Sequence, residues 1–293
     1  MILIVGCGFL GSYIAETAVR KGEKTICTYR TENRISVPGV QAVKCDVAKE
    51  EDLANLVSFC EGEKPVVFYL AAEHNIDRVF SNHHAAWEIN VTALERFFEI
   101  MPDIDKLFFA STDCVYGENP ENIPAFSEYD DLCPVNVYGD QKAEAEHIVA
   151  SHGFTCARLP FMTGKSLLSG KTSFYDNICL KLGKGESNEM IDGMRRSALS
   201  YKTVALLLLK LASLDKENLP AFINIASDTP YTKYEIGLEI ARANGLPESL
   251  IKPISFEEGK KFFKDRRADT SVMSNALLKK TLGITDKLTF TEN

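Results

Sequence analysis

Tyr138 and Lys142 stand four residues apart in PVNVYGDQKAEAEHIV, residues 134–149, where a helical pattern begins. Residues i and i+4 share a helix face, and an ammonium beside a phenol favours the phenolate, lowering a tyrosine pKa from about 10. Such a couple could give or take a proton near neutral pH. The spacing alone decides nothing. Ten tyrosines and 22 lysines in 293 residues make about one such pair by chance, and two residues on a solvated helix face would look the same.

The first residues carry a second constellation. GCGFLG places Gly6, Gly8 and Gly11 around Phe9 and Leu10, after the apolar run MILIV and at the opening of a helical pattern. Glycines there permit a tight turn and close approach of backbone to a pyrophosphate, whose charge meets the helix N-terminus. The strand–turn–helix context is what this otherwise weak motif requires. A dinucleotide enzyme that uses NAD(H) places Asp or Glu at the end of the second strand, where TYRTENR has Tyr29. Arg30 and Arg34 follow and suit a 2′-phosphate, so NADP(H) is favoured over NAD(H), although Glu32 lies between them. Asp46 and Val47, in CDV, are expected at the adenine edge. Leu70, Ala71 and Ala72 end the fourth apolar run, where small side chains leave room for a cofactor.

The elements that must hold these residues alternate regularly. Strands are expected at MILIV, TICTY, QAVKC, PVVFYL, KLFFAS and FTCARL. Helices are expected at LGSYIAETAVRKG, KEEDLANLVSFCE, AAWEINVTALERFFEIM and VYGDQKAEAEHIVASHG. Near-continuously apolar strands suit a parallel sheet covered on both faces. The alternation implies an α/β fold with a doubly wound sheet. After Pro160 the periodicity weakens. A helix (YKTVALLLLKLASL), a strand (AFINIAS) and another helix (TKYEIGLEIARANG) follow. The expected division is a dinucleotide-binding part over 1–160, with about 196–227 packing back on it, and a smaller substrate lobe made mainly of 161–293.

Apolar residues make up 45% and charged residues 25% of the chain, as in ordinary soluble domains. A net charge of −8 argues against a general nucleic-acid binder, which needs a basic face to displace counterions. Eight cysteines are scattered without C-x-x-C or nearby histidine pairs, which fits reduced thiols and no metal. MILIVGCGFLG lacks a basic leader and ALLLLKLA is too short to cross a bilayer, so a cytoplasmic protein without membrane association is expected. The stripe in AAWEINVTALERFFEIM could bury a face in a homodimer, and fits core packing equally well.

In order along residues 2 to about 284, GCGFLG, CDV, FYLAA, INVTALERFF, FFASTDCVYGE, PVNVYGDQKAEAE and ARLPFMTG resemble the extended short-chain dehydrogenase/reductase family. These are the nucleotide-sugar reductases, epimerases and dehydratases on a Rossmann sheet. The segment RRADTSVMSNALLKKTLGI resembles the dTDP-4-dehydrorhamnose reductase branch. The resemblance implies that Tyr138 and Lys142 are the catalytic Y-x-x-x-K pair, with Lys142 also holding the nicotinamide ribose. It implies that Thr112, four residues before Tyr116, orients the reacting oxygen.

The resemblance also narrows the chemistry. Related 4,6-dehydratases carry Asp then Glu after this threonine, whereas this chain has Asp113 and Cys114, and a thiol is a poor replacement for that carboxylate. GDP-fucose synthases pair a cysteine here with a downstream histidine, but all five histidines precede the second lobe. The branch's Pro and Asp near 198 and 203 are Ala198 and Thr203, and its closing Asp and Lys are Ser274 and Leu277. The leading expectation is NADP(H)-dependent reduction of a keto group on a nucleotide-sugar. A 4-epimerase and a non-catalytic NADP-binding regulatory subunit are the alternatives. His74, Asp113, Cys114, Arg196 and Arg267 are the expected substrate contacts.

Overall fold

Alternate residues of the first strand, β1 (Ile2–Val5), feed different cores, and the whole molecule follows from that division. Ile2 and Ile4 face one hydrophobic cluster, while Leu3 and Val5 face another. A strand buried on both faces has no polar side to show, so its sequence reads as an unbroken apolar run. The computed structural model describes residues 1–101 and 103–290.

In the first part, β1 is followed by α1 (Phe9–Arg20), β2 (Thr25–Tyr29), β3 (Gln41–Lys44), α2 (Glu50–Ser58) and β4 (Val66–Tyr69). Two short helices, α3 (Ile76–Ser81) and α4 (His83–Trp87), lead through a π-helical turn at Glu88–Thr92 into α5 (Ala93–Ile100). Then come β5 (Lys106–Thr112), α6 (Val137–Ser151) and β6 (Thr155–Leu159). The helix expected over AAWEINVTALERFFEIM is thus interrupted. At Asn90, buried within that turn, a polar side chain points into the structure instead of continuing the apolar face.

The second part contains β7 (Phe161–Thr163), α7 (Phe174–Gly183), β8 (Asn188–Ile191), β9 (Arg195–Ser200) and α8 (Tyr201–Ala212). It continues with β10 (Phe222–Asn224), β11 (Pro230–Tyr231), α9 (Lys233–Ala243), β12 (Ile251–Ile254), α10 (Phe256–Lys260), β13 (Thr270–Ser271) and α11 (Ala276–Leu282). The last three positions of the expected substrate lobe lie outside the described residues.

Seven parallel strands form one sheet in the order β10-β6-β5-β4-β1-β2-β3. This is a doubly wound Rossmann sheet, and the chain reverses its winding between β1 and β4. Helices α1 and α8 cover one face, with Ile14, Leu207 and Leu208 in its core. The other face packs Leu53 of α2, Phe97 of α5 and Val149 of α6. In the second lobe, β9 pairs with β7, β11 and β13, while β8 pairs with β12. Arg196 lies opposite both Tyr231 and Ser271 in this smaller sheet, which aims the strand's N-terminal end back toward the end of β5.

Candidate active site

A crevice of about 670 Å³ opens at the switch point, beyond the carboxyl ends of β1, β2 and β4. Its size is that of a small-molecule cleft. Thr28 shapes the glycine turn beside it: its Oγ1 accepts from Gly6 N at 2.8 Å and its carbonyl accepts from Cys7 N at 2.8 Å. Gly6 has φ of 86°, and a Cβ there would fall 2.6 Å from both the Cα and N of Ala71. Only glycine lets the β1 and β4 ends converge so closely. The three glycines therefore divide their work, since Gly11 faces inward, where a Cβ would lie 3.1 Å from Ile4 Cγ2.

Of the residues expected to hold a cofactor, Gly6, Gly8, Tyr29, Arg30, Arg34, Asp46, Val47, Leu70, Ala71 and Ala72 line this crevice. Phe9 and Leu10 do not. Phe9 stacks on Tyr201 at 5.7 Å, and Leu10 is buried in the core under α1. His74, expected as a substrate contact, also lies on the crevice wall. The two arginines separate. Arg30 is exposed and has no ion-pair or hydrogen-bond partner among the described residues. Arg34 pairs with Glu32 at 2.5 Å and donates to the Gly170 carbonyl at 2.7 Å, so it is already committed. Asn90 was missed by sequence reasoning. Its amide bonds both the N–H and the carbonyl of Glu73, and it reaches Gln141 at 2.8 Å, so it fixes the turn after β4 against α6. An amide within an otherwise apolar helical face was the available signal.

Tyr138 and Lys142 lie deeper, on the buried face of α6, and neither belongs to the crevice wall. Asn136 caps this helix, its Oδ1 accepting from Gly139 N at 2.9 Å. A Cβ on Gly139 would lie 2.5 Å from the Cys114 carbonyl oxygen and 2.7 Å from Pro134 Cβ. That absence of a side chain lets the first turn of α6 press against the turn following β5, which brings Tyr138 against Cys114 and near Asp113. Cys114 packs with Val79, Ala86 and Tyr138. The Thr112 hydroxyl donates to Asp113 Oδ1 at 3.1 Å and accepts from Cys114 N at 3.2 Å.

The electrostatics differ from the simple couple expected. Burial holds the Tyr138 hydroxyl above its ordinary pKa, and the Cys114 thiol and Asp113 carboxylate push the same way, with Arg196 opposing them. Lys142 does not depress it. The ammonium is turned onto the face of Phe109, 3.7 Å from the ring centroid. Burial pushes Lys142 down to about 7, partly offset by Glu146 one turn further along α6. Glu146 is itself held by Arg158, with contacts of 3.0, 3.2 and 2.7 Å, and by Ser111 at 2.5 Å. In this state Tyr138 is a protonated phenol.

Of the remaining expected substrate contacts, Arg196 brings Nε within 2.7 Å of Asp113 Oδ2 and also approaches Cys114 Sγ at 3.4 Å. Burial raises the thiol's pKa, with Arg196 partly opposing. Arg267 pairs with Asp77 at 2.8 Å and lies 4.9 Å from the Phe263 ring centroid. It borders a cleft of about 760 Å³ lined by Lys260, Lys264 and Arg266 together with Glu118, Asp265 and Asp269. Arg196 thus sits at the β5 end, whereas Arg267 joins the second lobe to α3 through Asp77.

The family model described as RmlD substrate binding domain matches residues 1–290. The chain belongs to this family. Among curated proteins it is similar to the methionine adenosyltransferase 2 subunit beta of Xenopus laevis, 27% identical over 215 residues, covering 70% of this chain and 63% of that protein. The chain thus spans less than two thirds of that relative's length. Among solved structures, the UDP-glucose 4-epimerase of Thermus thermophilus, in complex with NAD, has a TM-score of 0.78 at 22% identity, covering 96% of this chain and 92% of that one. A hypothetical dTDP-4-dehydrorhamnose reductase from Sulfolobus tokodaii has a TM-score of 0.78 at 18% identity, covering 100% and 98%. At these identities the solved structures establish the fold. With the family match they make this chain an RmlD-family protein on the extended short-chain dehydrogenase/reductase fold. Among the described residues, no helix is long and apolar enough to cross a membrane.

Proposed function

We propose that this RmlD-family protein is an NADP(H)-dependent oxidoreductase that reduces a keto group on a nucleotide-sugar. The observation that carries the reading is Tyr138: a buried, protonated phenol packed against Cys114, two residues beyond Thr112, with Lys142 one turn along the same helix. Reduction of a carbonyl requires a proton donor at its oxygen, and Tyr138 is in the donor state. Nicotinamide, when bound, supplies the hydride. Thr112 would orient the carbonyl oxygen and stabilise the charge that develops there. Lys142 would hold the nicotinamide ribose once its ammonium turns from the Phe109 face.

The crevice residues fit a dinucleotide. The Gly6–Gly8 turn opens at the N-terminus of α1, and Ala71 and Ala72 leave its wall low. Arg30 is the free guanidinium for a 2′-phosphate, and Tyr29 stands where an NAD enzyme would carry a carboxylate; both support NADP(H) over NAD(H). In this reading Arg196 and Arg267 meet the substrate's phosphates by exchanging their carboxylate partners. The division near residue 160, a cytoplasmic location and a homodimer belong to the same reading.

A second reading is favoured by the similarity to methionine adenosyltransferase 2 subunit beta. It makes this chain a dinucleotide-binding subunit of a complex, without turnover of its own. The two readings separate when NADPH consumption is followed with dTDP-, UDP- and GDP-linked 4-keto-6-deoxy sugars. The reductase reading expects turnover with one nucleotide class. Tight NADPH binding with no turnover on any of them would favour the subunit.

A further inference from the structure

One wall of the crevice comes from the second lobe. Between β7 and α7 the chain runs back over the first lobe as a strap, residues 164–172, and several bonds fasten it there. Tyr13 on α1 donates its hydroxyl proton to the Lys165 carbonyl at 2.8 Å. Ser36 Oγ donates to the Leu167 carbonyl at 2.6 Å, and Ile35 bridges Leu168. Ser169 N donates to the Arg34 carbonyl at 2.8 Å, while the Arg34 guanidinium donates to the Gly170 carbonyl at 2.7 Å. Asp176 pinches the loop at its base, accepting from Ser166 N at 3.0 Å and Ser173 N at 2.8 Å. Gly170 has φ of 63°, and a Cβ there would sit 3.2 Å from Arg34 Nη1, so the approach depends on glycine.

The strap carries one cation to a telling place. The Lys171 ammonium lies 4.8 Å from the ring centroid of Phe9, the first residue of α1. Gly8 precedes it at the turn where a dinucleotide's diphosphate would meet the free N–H groups of the helix. Lys171 is exposed, and no carboxylate is paired with it among the described residues. It lines the same crevice as Gly6 and Gly8.

We propose that residues 164–172 form a clasp across the dinucleotide, in which Lys171 holds the diphosphate from above the α1 N-terminus and Arg34 is the latch that keeps the clasp shut. The proposal rests on the dinucleotide-binding reading above. It assigns Arg34 to the protein's own backbone, leaving Arg30 to recognise a 2′-phosphate.

The test measures NADPH and NADH binding and stopped-flow dissociation, by nicotinamide fluorescence, for the full chain and three variants. Lys171→Gln is expected to weaken both ligands by a similar factor, about tenfold or more, because the diphosphate is common to them. Arg34→Gln should speed dissociation of both. Arg30→Gln should weaken NADPH alone. Unchanged affinity in Lys171→Gln, or a loss confined to NADPH, overturns the diphosphate role; a loss in Arg34→Gln confined to NADPH overturns the latch. Lys171→Arg, which keeps the charge, should retain affinity, and thermal melts of the ligand-free variants exclude misfolding as the cause. A wild-type chain that binds neither dinucleotide would remove the reading itself. Binding that ignores Lys171 and Arg34 would remove only the clasp.

Discussion

Arg196 reaches back 83 residues to grip Asp113, its Nε 2.7 Å from Oδ2 and its second nitrogen on Oδ1. Asp113 directly follows Thr112, so this pair ties the smaller sheet to the end of β5 beside Tyr138. The carboxylate is almost fully buried and the guanidinium mostly so. A fork-to-fork pair of this kind fixes orientation as well as charge.

Breaking the pair from one side should therefore be worse than removing it. Arg196→Met leaves Asp113 charged, buried and unpaired, at a cost of roughly 3 kcal/mol. Adding Asp113→Asn should recover most of that loss, because the two changes act on one interaction. Urea denaturation of the single and double variants measures both. Equal stability of the two would show that the pair does not couple the lobes.

Lys142 gives the ligand-free protein a pH signature. The unfolded chain keeps this proton to about 10.4, whereas the folded chain releases it at about 7. Between those values the unfolded state binds more protons, so this group's contribution to stability rises with pH. Below about 7 both states are protonated and the full burial penalty applies. Lys142→Met removes the penalty, on the order of a few kcal/mol. The variant's advantage over wild type should be greatest near pH 6 and fade toward pH 10. An advantage that grows with pH would contradict the burial of this ammonium.

Gly6→Ala should damage the crevice more than the core. The position combines a left-handed φ with contact against the Ala71 backbone, so strain and overlap add to roughly 2 kcal/mol or more. Loss of dinucleotide binding should accompany the loss of stability. Gly22 also has positive φ but open space around it. Gly22→Ala is therefore the control, and should cost only the backbone strain and leave binding intact.

The parts that could be read from the sequence are those carried by local periodicity. Apolar runs such as TICTY and KLFFAS became β2 and β5, because strands buried on both faces have one pattern available. GCGFLG became a glycine turn at the switch point, and the Tyr138–Lys142 spacing became one buried helix face. What escaped depends on partners distant in the chain. Nothing near Arg34 announces the Gly170 carbonyl 136 residues away, and nothing near Asp113 announces Arg196. The direction of the Tyr138 pKa also escaped, because a spacing of four predicts a shared face but not where the ammonium turns. Phe109 attracts it from a neighbouring strand, and burial outweighs the pair. Gly139 sat in plain view within VYGDQK, but its role became visible only with the Cys114 carbonyl against it.

Delivery of a proton by the Tyr138 hydroxyl during reduction is the step on which the proposed activity stands. Single-turnover kinetics of Tyr138→Phe isolate it, with the variant pre-loaded with NADPH and mixed with the nucleotide-linked keto sugar that the wild type accepts. NADPH should bind as in the wild type while the reduction step slows by roughly 10²–10⁴-fold. A variant that reduces the sugar at the wild-type rate would contradict the role of this hydroxyl.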